Sequence, residues 1–310
     1  MRQPFCTFTF AALALTLVSP AGAQQFSDWS APVNLGAAIN TTSDDAGSFI
    51  SRDGRSLYFN SNRSGGFGGL DIYVAQRASV DDAWGPPVNL GSTVNSSANE
   101  QTPAISPDGR RLYFASDRPG GFGGLDLYVS TRVDKHDDFA WGLPENLGSA
   151  VNTAQPEFVG SALREKSAHL EVLYFARGAV GARDLYVSRR GADGSFEPGV
   201  PIVELNGASD DARSTVRRDG LEMFFDSNRP GTQGALDIWV TTRARTWHPW
   251  SPPVNATVLN SGALDARPSL SFDGTTIYFH SGRPGVLGGN DIYVSTRTRL
   301  DDAGDDEDED

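Results

Sequence analysis

Residues 51–77 read SRDGRSLYFNSNRSGGFGGLDIYVAQR, and residues 106–132 read SPDGRRLYFASDRPGGFGGLDLYVSTR. The phrase returns at 217–243 as RRDGLEMFFDSNRPGTQGALDIWVTTR and at 271–297 as SFDGTTIYFHSGRPGVLGGNDIYVSTR, with a degraded copy, VLYFARGAVGARDLYVSRR, at 172–190. The aspartate opening the last apolar run of each copy is Asp71, Asp126, Asp184, Asp237 or Asp291, giving steps of 55, 58, 53 and 54 residues. A second phrase, W-x-x-P-V-N-L-G in its fullest form, precedes each copy and is anchored by Trp29, Trp84, Trp141, Phe196 and Trp250. Self-similarity at such a period marks a repeat architecture, in which neighbouring units bury one another.

Each unit reads as four short strands. Strand a, of the type Pro103 to Ser106, ends in an Asp-Gly turn. Strand b alternates apolar residues, as in Leu112 to Ala115, and a glycine-rich loop leads to strand c, Asp126 to Ser130. Strand d follows the tryptophan. No helical periodicity competes with this pattern. The fold class is therefore all-β, a five-bladed β-propeller of four-stranded blades over residues 24–300. The repeat phase adds a detail: the first unit present is a strand d and the last is a strand c. The N-terminal strand is thus predicted to complete the last blade and close the ring without a free edge.

The termini read differently. Residues 1–23 carry Arg2, an apolar run from Phe8 to Val18 and Ala21-Gly22-Ala23, the pattern of a secretory signal peptide. That run is too short to span a bilayer. The single cysteine, Cys6, lies within residues 1–23, so the processed chain is expected to lack disulfides and thiolate chemistry. Of the net charge of −13, eight negative charges sit in the tail 301–310, DDAGDDEDED, which reads as disordered. The remaining 31 acidic and 26 basic side chains give no basic face for nucleic acid. An exported monomer, periplasmic or extracellular and not membrane-spanning, is the expectation.

The pattern S-P-D-G-x-x-L-Y-F-x-S-D-R-P-G-G followed by D-[IL]-Y-V-S resembles the WD-like propeller repeats of the TolB type over essentially all of 29–297. The resemblance implies a bacterial envelope setting. It does not transfer a partner.

Two repeated sets of side chains stand out. Each blade carries an arginine before strand c and an aspartate at its start: Arg63/Asp71, Arg118/Asp126, Arg177/Asp184, Arg229/Asp237 and Arg283/Asp291. Fivefold repetition marks these as structural pairs that lock the loop by a bidentate contact. A second acid precedes each strand a: Asp45, Glu100, Glu157, Asp211 and Asp265. Because strands alternate in direction, these five are expected to ring the channel mouth on the face shared by the d–a and b–c loops. They suit either a cation, since hard ions take oxygen ligands, or acceptance of backbone N–H groups. No other cofactor is implied.

Departures from the repeat are the better guide to ligands. Two residues past the ring acid stand Gly47, Thr102, Val159, Arg213 and Arg267. The two arginines suit a carboxylate or phosphate clamp, or neutralisation of Asp211 and Asp265. Blade three loses its Asp-Gly turn, gains residues around 164–169 and has a glycine-rich loop shortened by three. Phe67 and Phe122 occupy loop tips as contact residues or as cover for the blade edge. His136, His169, His248 and His280 are scattered without ligand spacing, and His280 reads as a packed residue. Five quasi-equivalent acids lack the asymmetry of acid/base catalysis. The sequence reading is therefore a non-catalytic binding scaffold of the envelope, recognising a protein or glycan at that mouth. The alternative is a polysaccharide-active hydrolase or lyase using mouth carboxylates.

Overall fold

The computed structural model describes residues 25–165 and 170–300. Residues 1–24, with the expected signal peptide, residues 166–169 and the acidic residues 301–310 lie outside the described residues. No helix forms among the described residues, and five antiparallel four-stranded sheets make the five blades of a propeller. Blade one comprises strands a Asp45–Ile50, b Ser56–Ser61, c Asp71–Gln76 and d Val88–Asn89. Blade five comprises Asp265–Leu270, Thr276–Ser281, Asp291–Thr296 and, as its outermost strand, Val33–Asn34 from the other end of the chain. Val33 pairs with Val294 and Asn34 with Tyr293, so the ring closes as the repeat phase predicts. A feature the sequence did not announce follows it outward: Gln25–Phe26 pairs antiparallel with Arg299–Leu300.

Alternation along strand b explains why blades stack. Side chains on a strand point to opposite faces in turn. In blade one, Leu57 and Phe59 pack with Tyr278 and Ile292 of blade five, whereas Tyr58 packs with Leu112 and Phe114 of blade two. Each strand b is thus buried on both faces, and the principal cores lie in the seams between blades. Two of these seams hold buried charges, and both are paired. Asp138 accepts from Ser56, Tyr58, Gln76 and Arg132 between blades one and two, and Glu222 holds Arg217 and Arg297 between blades four and five.

Strand a lines the axis and is bulged in every blade. The ladder skips between Ala46 and Phe49, Gln101 and Ala104, Val159 and Ser161, Ala212 and Thr215, and Ala266 and Ser269. In four blades the bulge puts one residue at positive φ: Gly47 at 61°, Thr102 at 57°, Arg213 at 35° and Arg267 at 58°. A side chain there costs about 1–2 kcal/mol, because Cβ crowds the following carbonyl. Glycine meets the requirement freely, and the two arginines do not.

Candidate functional site

The five ring acids are fully buried, which corrects the expectation that they line the mouth. The arginines expected to pair with the strand-c aspartates reach these acids instead. Arg63 bonds Asp45 at 2.5 Å, Arg118 Glu100 at 3.0 Å, Arg177 Glu157 at 2.9 Å, Arg229 Asp211 at 2.6 Å and Arg283 Asp265 at 2.6 Å. Each arginine also donates to a d–a loop carbonyl, that of Ile39, Val94, Val151, Leu205 or Leu259. The physical reason is that a buried carboxylate needs a countercharge more than an exposed loop needs a lock. Among the described residues, no three His, Cys, Asp or Glu side chains lie close enough together to hold a metal.

The strand-c aspartates serve the glycine-rich loop through its backbone. Asp71 accepts from the N–H groups of Phe67 and Gly68, and from the Asn89 amide. Asp126, Asp237 and Asp291 repeat the scheme with Asn146, Asn255 and Asn34. A second asparagine, missed in the sequence reading, latches each blade. Asn40, Asn95, Asn152, Asn206 and Asn260 each bond both backbone groups of the residue after that aspartate. Its signal is an asparagine following an apolar residue five or six positions beyond strand d, most regular in LGAAIN at 35–40, LGSTVN at 90–95 and LGSAVN at 147–152.

Blade three breaks this pattern at Asp184. Its loop is too short to bring N–H groups over the carboxylate, and Pro201 stands where the others have asparagine. No described residue donates a hydrogen bond to the Asp184 side chain, which is half-buried. Burial, seconded by the nearby Asp211 charge, raises its pKa. Asp211 is itself unlike its counterparts. Thr41, Ser96, Thr153 and Ser261 cap the other four ring acids, but position 207 is glycine. Asp211 Oδ2 is buried without a hydrogen bond, as is Glu157 Oε2 in blade three. Asp184 is therefore set apart from the other four strand-c aspartates, Asp71, Asp126, Asp237 and Asp291, all of which are buried.

The axis holds a second irregularity. A cavity of about 10 Å³ is lined by Gly47, Thr102, Val159, Arg213 and Arg267, with Gly160 and Pro268 among its other neighbours. Arg213 reaches across from blade four: its guanidinium lies over the Phe158 ring at 5.4 Å and donates to Gln101 at 3.3 Å. A Cβ on Gly47 would stand 3.2 Å from Arg213 Nη1, so glycine there leaves room for the arginine. Asp211 and Asp265 take Arg229 and Arg283, so they are not what Arg213 and Arg267 neutralise. Instead the charge beside them is Asp226, whose Oδ1 accepts from the Arg267 backbone N–H at 3.0 Å. Its counterparts on strand b are Asn60, Ala115, Ala176 and His280, a substitution visible in the sequence but not weighed there. Burial raises Asp226, and it lowers Arg213, Arg267 (to about 10) and His280, the arginine charges adding to the effect on His280. Arg183, beside the same cluster, is closed off by a two-pronged pair with Asp210 at 2.8 and 2.6 Å.

No family model and no curated relative matches this sequence. Solved structures do match in fold. An α-L-arabinofuranosidase from Lactobacillus brevis aligns with 87% of this chain and 94% of its own, at 14% identity and a TM-score of 0.58. A GH62 hydrolase in complex with xylotriose aligns over 87% and 97%, at 10% identity and a TM-score of 0.56. A putative TolB from Agrobacterium tumefaciens aligns over 90% and 100%, at 14% identity and a TM-score of 0.48. Such identities show the five-bladed architecture alone. On that ground the expectation of a non-catalytic scaffold is corrected, because five-bladed rings of this build include many glycoside hydrolases and the fold tells against excluding catalysis. The chain shares its ring with a run of glycoside hydrolases, among them GH43 and GH62 enzymes and an exo-β-1,3-galactanase.

Proposed function

We propose that this chain is a hydrolase acting on a polysaccharide, with Asp184 as its proton donor. The observation that carries the reading is that, of the five strand-c aspartates, Asp184 is the one left partly exposed and without a hydrogen bond from a described residue. Glycoside cleavage needs one carboxyl group that keeps its proton and reaches solvent, set apart from carboxylates fixed by the fold. Asp184 is the strand-c aspartate stripped of its loop hydrogen bonds, half-exposed, and raised by burial and by a neighbouring negative charge. In the reaction it gives its proton to the glycosidic oxygen as the bond to the anomeric carbon breaks. Water adds to that carbon and returns the proton. Asp211 is too deeply buried to touch substrate and acts as a positioning residue through its field. The ring acids Asp45, Glu100 and Asp265 belong to the scaffold on the same ground.

The likeness to arabinofuranosidases and a xylotriose-bound hydrolase supports trying furanoside-decorated and xylan-type glycans first. The repeat pattern supports kinship with TolB-type propellers, and residues 1–23 support a place outside the cytoplasm. The test is release of reducing sugar from arabinan, arabinoxylan and pectic polysaccharide. Asp184→Asn is expected to lower turnover at least 100-fold with the unfolding temperature unchanged. Asp237→Asn, in the intact blade four, is expected to lower the unfolding temperature instead. A wild-type protein inert on the whole panel, or an Asp184→Asn variant with full turnover, overturns the reading.

A further inference from the structure

Two guanidinium groups stand at the propeller axis without adequate partners. The Arg267 guanidinium makes no hydrogen bond with any described residue and is partly exposed. Arg213 is buried, its Nε is unbonded, and its one side-chain hydrogen bond is the long contact to Gln101. Neither is in an ion pair among the described residues. Asp226 acts on both, and Asp44 on Arg267, from beyond ion-pair distance. Against them stand Arg183, already matched by Asp210, and His280, whose Nδ1 is also buried and unbonded. An uncompensated buried charge is costly, and an unbonded buried donor adds to the cost.

Both arginines also sit at the positive-φ bulge, where blade one uses glycine. The chain therefore holds two cations at an axial position in spite of backbone strain, mutual repulsion and missing acceptors. Residues that resist local preference in this way mark functional sites. The cavity between them and Gly47 has room for about one water-sized group, enough to seat a single anionic oxygen entering from the mouth.

We propose that Arg213 and Arg267 form a binding site for the carboxylate of a uronic acid residue, so that the glycan recognised is an anionic polysaccharide. A planar carboxylate matches the guanidinium fork and supplies the missing acceptors. The inference rests on the glycan reading above for the sugar, but the anion site stands on the axial geometry alone.

The test follows thermal unfolding of the full chain with D-glucuronate, D-galacturonate, D-glucose or sulfate at matched ionic strength. It needs no turnover, so a protein that fails to hydrolyse any glycan still gives an answer. Either uronate at a hundredfold excess over its Kd is expected to raise the midpoint by about 5 °C, with glucose inert. Arg267→Gly removes a cation and a strained φ together. Its midpoint without ligand is expected to equal or exceed that of the wild type, with the uronate shift abolished. Arg213→Gln is expected to weaken uronate binding at least tenfold. Equal shifts from glucose and uronate, or a uronate shift that survives Arg267→Gly, overturn the proposal. So does a response to sulfate without one to uronate, which leaves an anion site but not one for sugar acids. A midpoint that falls in Arg267→Gly without ligand makes the arginine structural and overturns it too.

Discussion

Removing Arg283 tests whether the acid–arginine ring holds the propeller together. Its Nη2 lies 2.6 Å from Asp265 Oδ1 and also donates to the Leu259 carbonyl, while Nε bonds Ser281 Oγ. The guanidinium lies over the Phe279 and Tyr293 rings at 5.4 and 4.7 Å. In Arg283→Ala the fully buried Asp265 keeps the Ser261 bonds on Oδ2, but Oδ1 loses its countercharge. Breaking a buried pair on one side costs about 3–5 kcal/mol. At roughly 2 °C per kcal/mol for a chain of this size, the midpoint should fall by about 6–10 °C. The assay is calorimetric unfolding at pH 7, with urea unfolding alongside to confirm that the m-value is unchanged. The double variant Asp265→Asn, Arg283→Met removes both charges and should recover at least half of the loss. A fall below about 2 °C would mean that water reaches Asp265 and that the ring acids are not closed off, refuting the structural role given to them.

Further outcomes follow from the axis and the closure. Folded His280 resists protonation, whereas the unfolded chain takes a proton near pH 6.5, so stability should fall progressively as the pH is lowered below about 6.5. In His280→Leu, unfolding midpoints over that range should flatten. Gly47→Ala would place Cβ 2.3 Å from Asn60 Oδ1 at a φ of 61°, and urea unfolding should show a loss of about 2–3 kcal/mol. If the chain cleaves glycans, Asp211→Asn removes a negative charge beside Asp184, and the alkaline limb of its pH–rate profile should move to lower pH. Deleting residues 25–35 strips the outer strand from blade five, and size-exclusion chromatography should show larger assemblies or unfolded chain relative to the full-length protein.

The ring was legible in the sequence because each unit states its strands, turns and apolar alternation five times over. Closure by Val33–Asn34 followed from counting strands. What the repeat could not show is which side chains meet between strands. Arg63 stands eight residues from Asp71 and 18 from Asp45, and sequence proximity favoured the first. The fold places it on the second, because strands a and b lie side by side with Asp45 opposite Ser61. Asp226 was readable as a departure from the consensus, and so was the shortened loop before Asp184. The significance of the two aspartates lies in what surrounds them: a loop too short to cover Asp184, and two guanidiniums facing Asp226. Those are properties of neighbours brought in from adjacent strands and blades.

The clasp between Gln25–Phe26 and Arg299–Leu300 has a mechanical consequence. The two ends of the ring leave the protein side by side, so tension applied between them falls on this short ladder, opening its bonds one after another. Behind it stands the two-residue pairing of Val33–Asn34 with Tyr293 and Val294, loaded in the same peeling sense. Under load the propeller should therefore yield at blade five well before any longer strand pair shears. A tether at either end would make this seam the molecule's mechanical fuse.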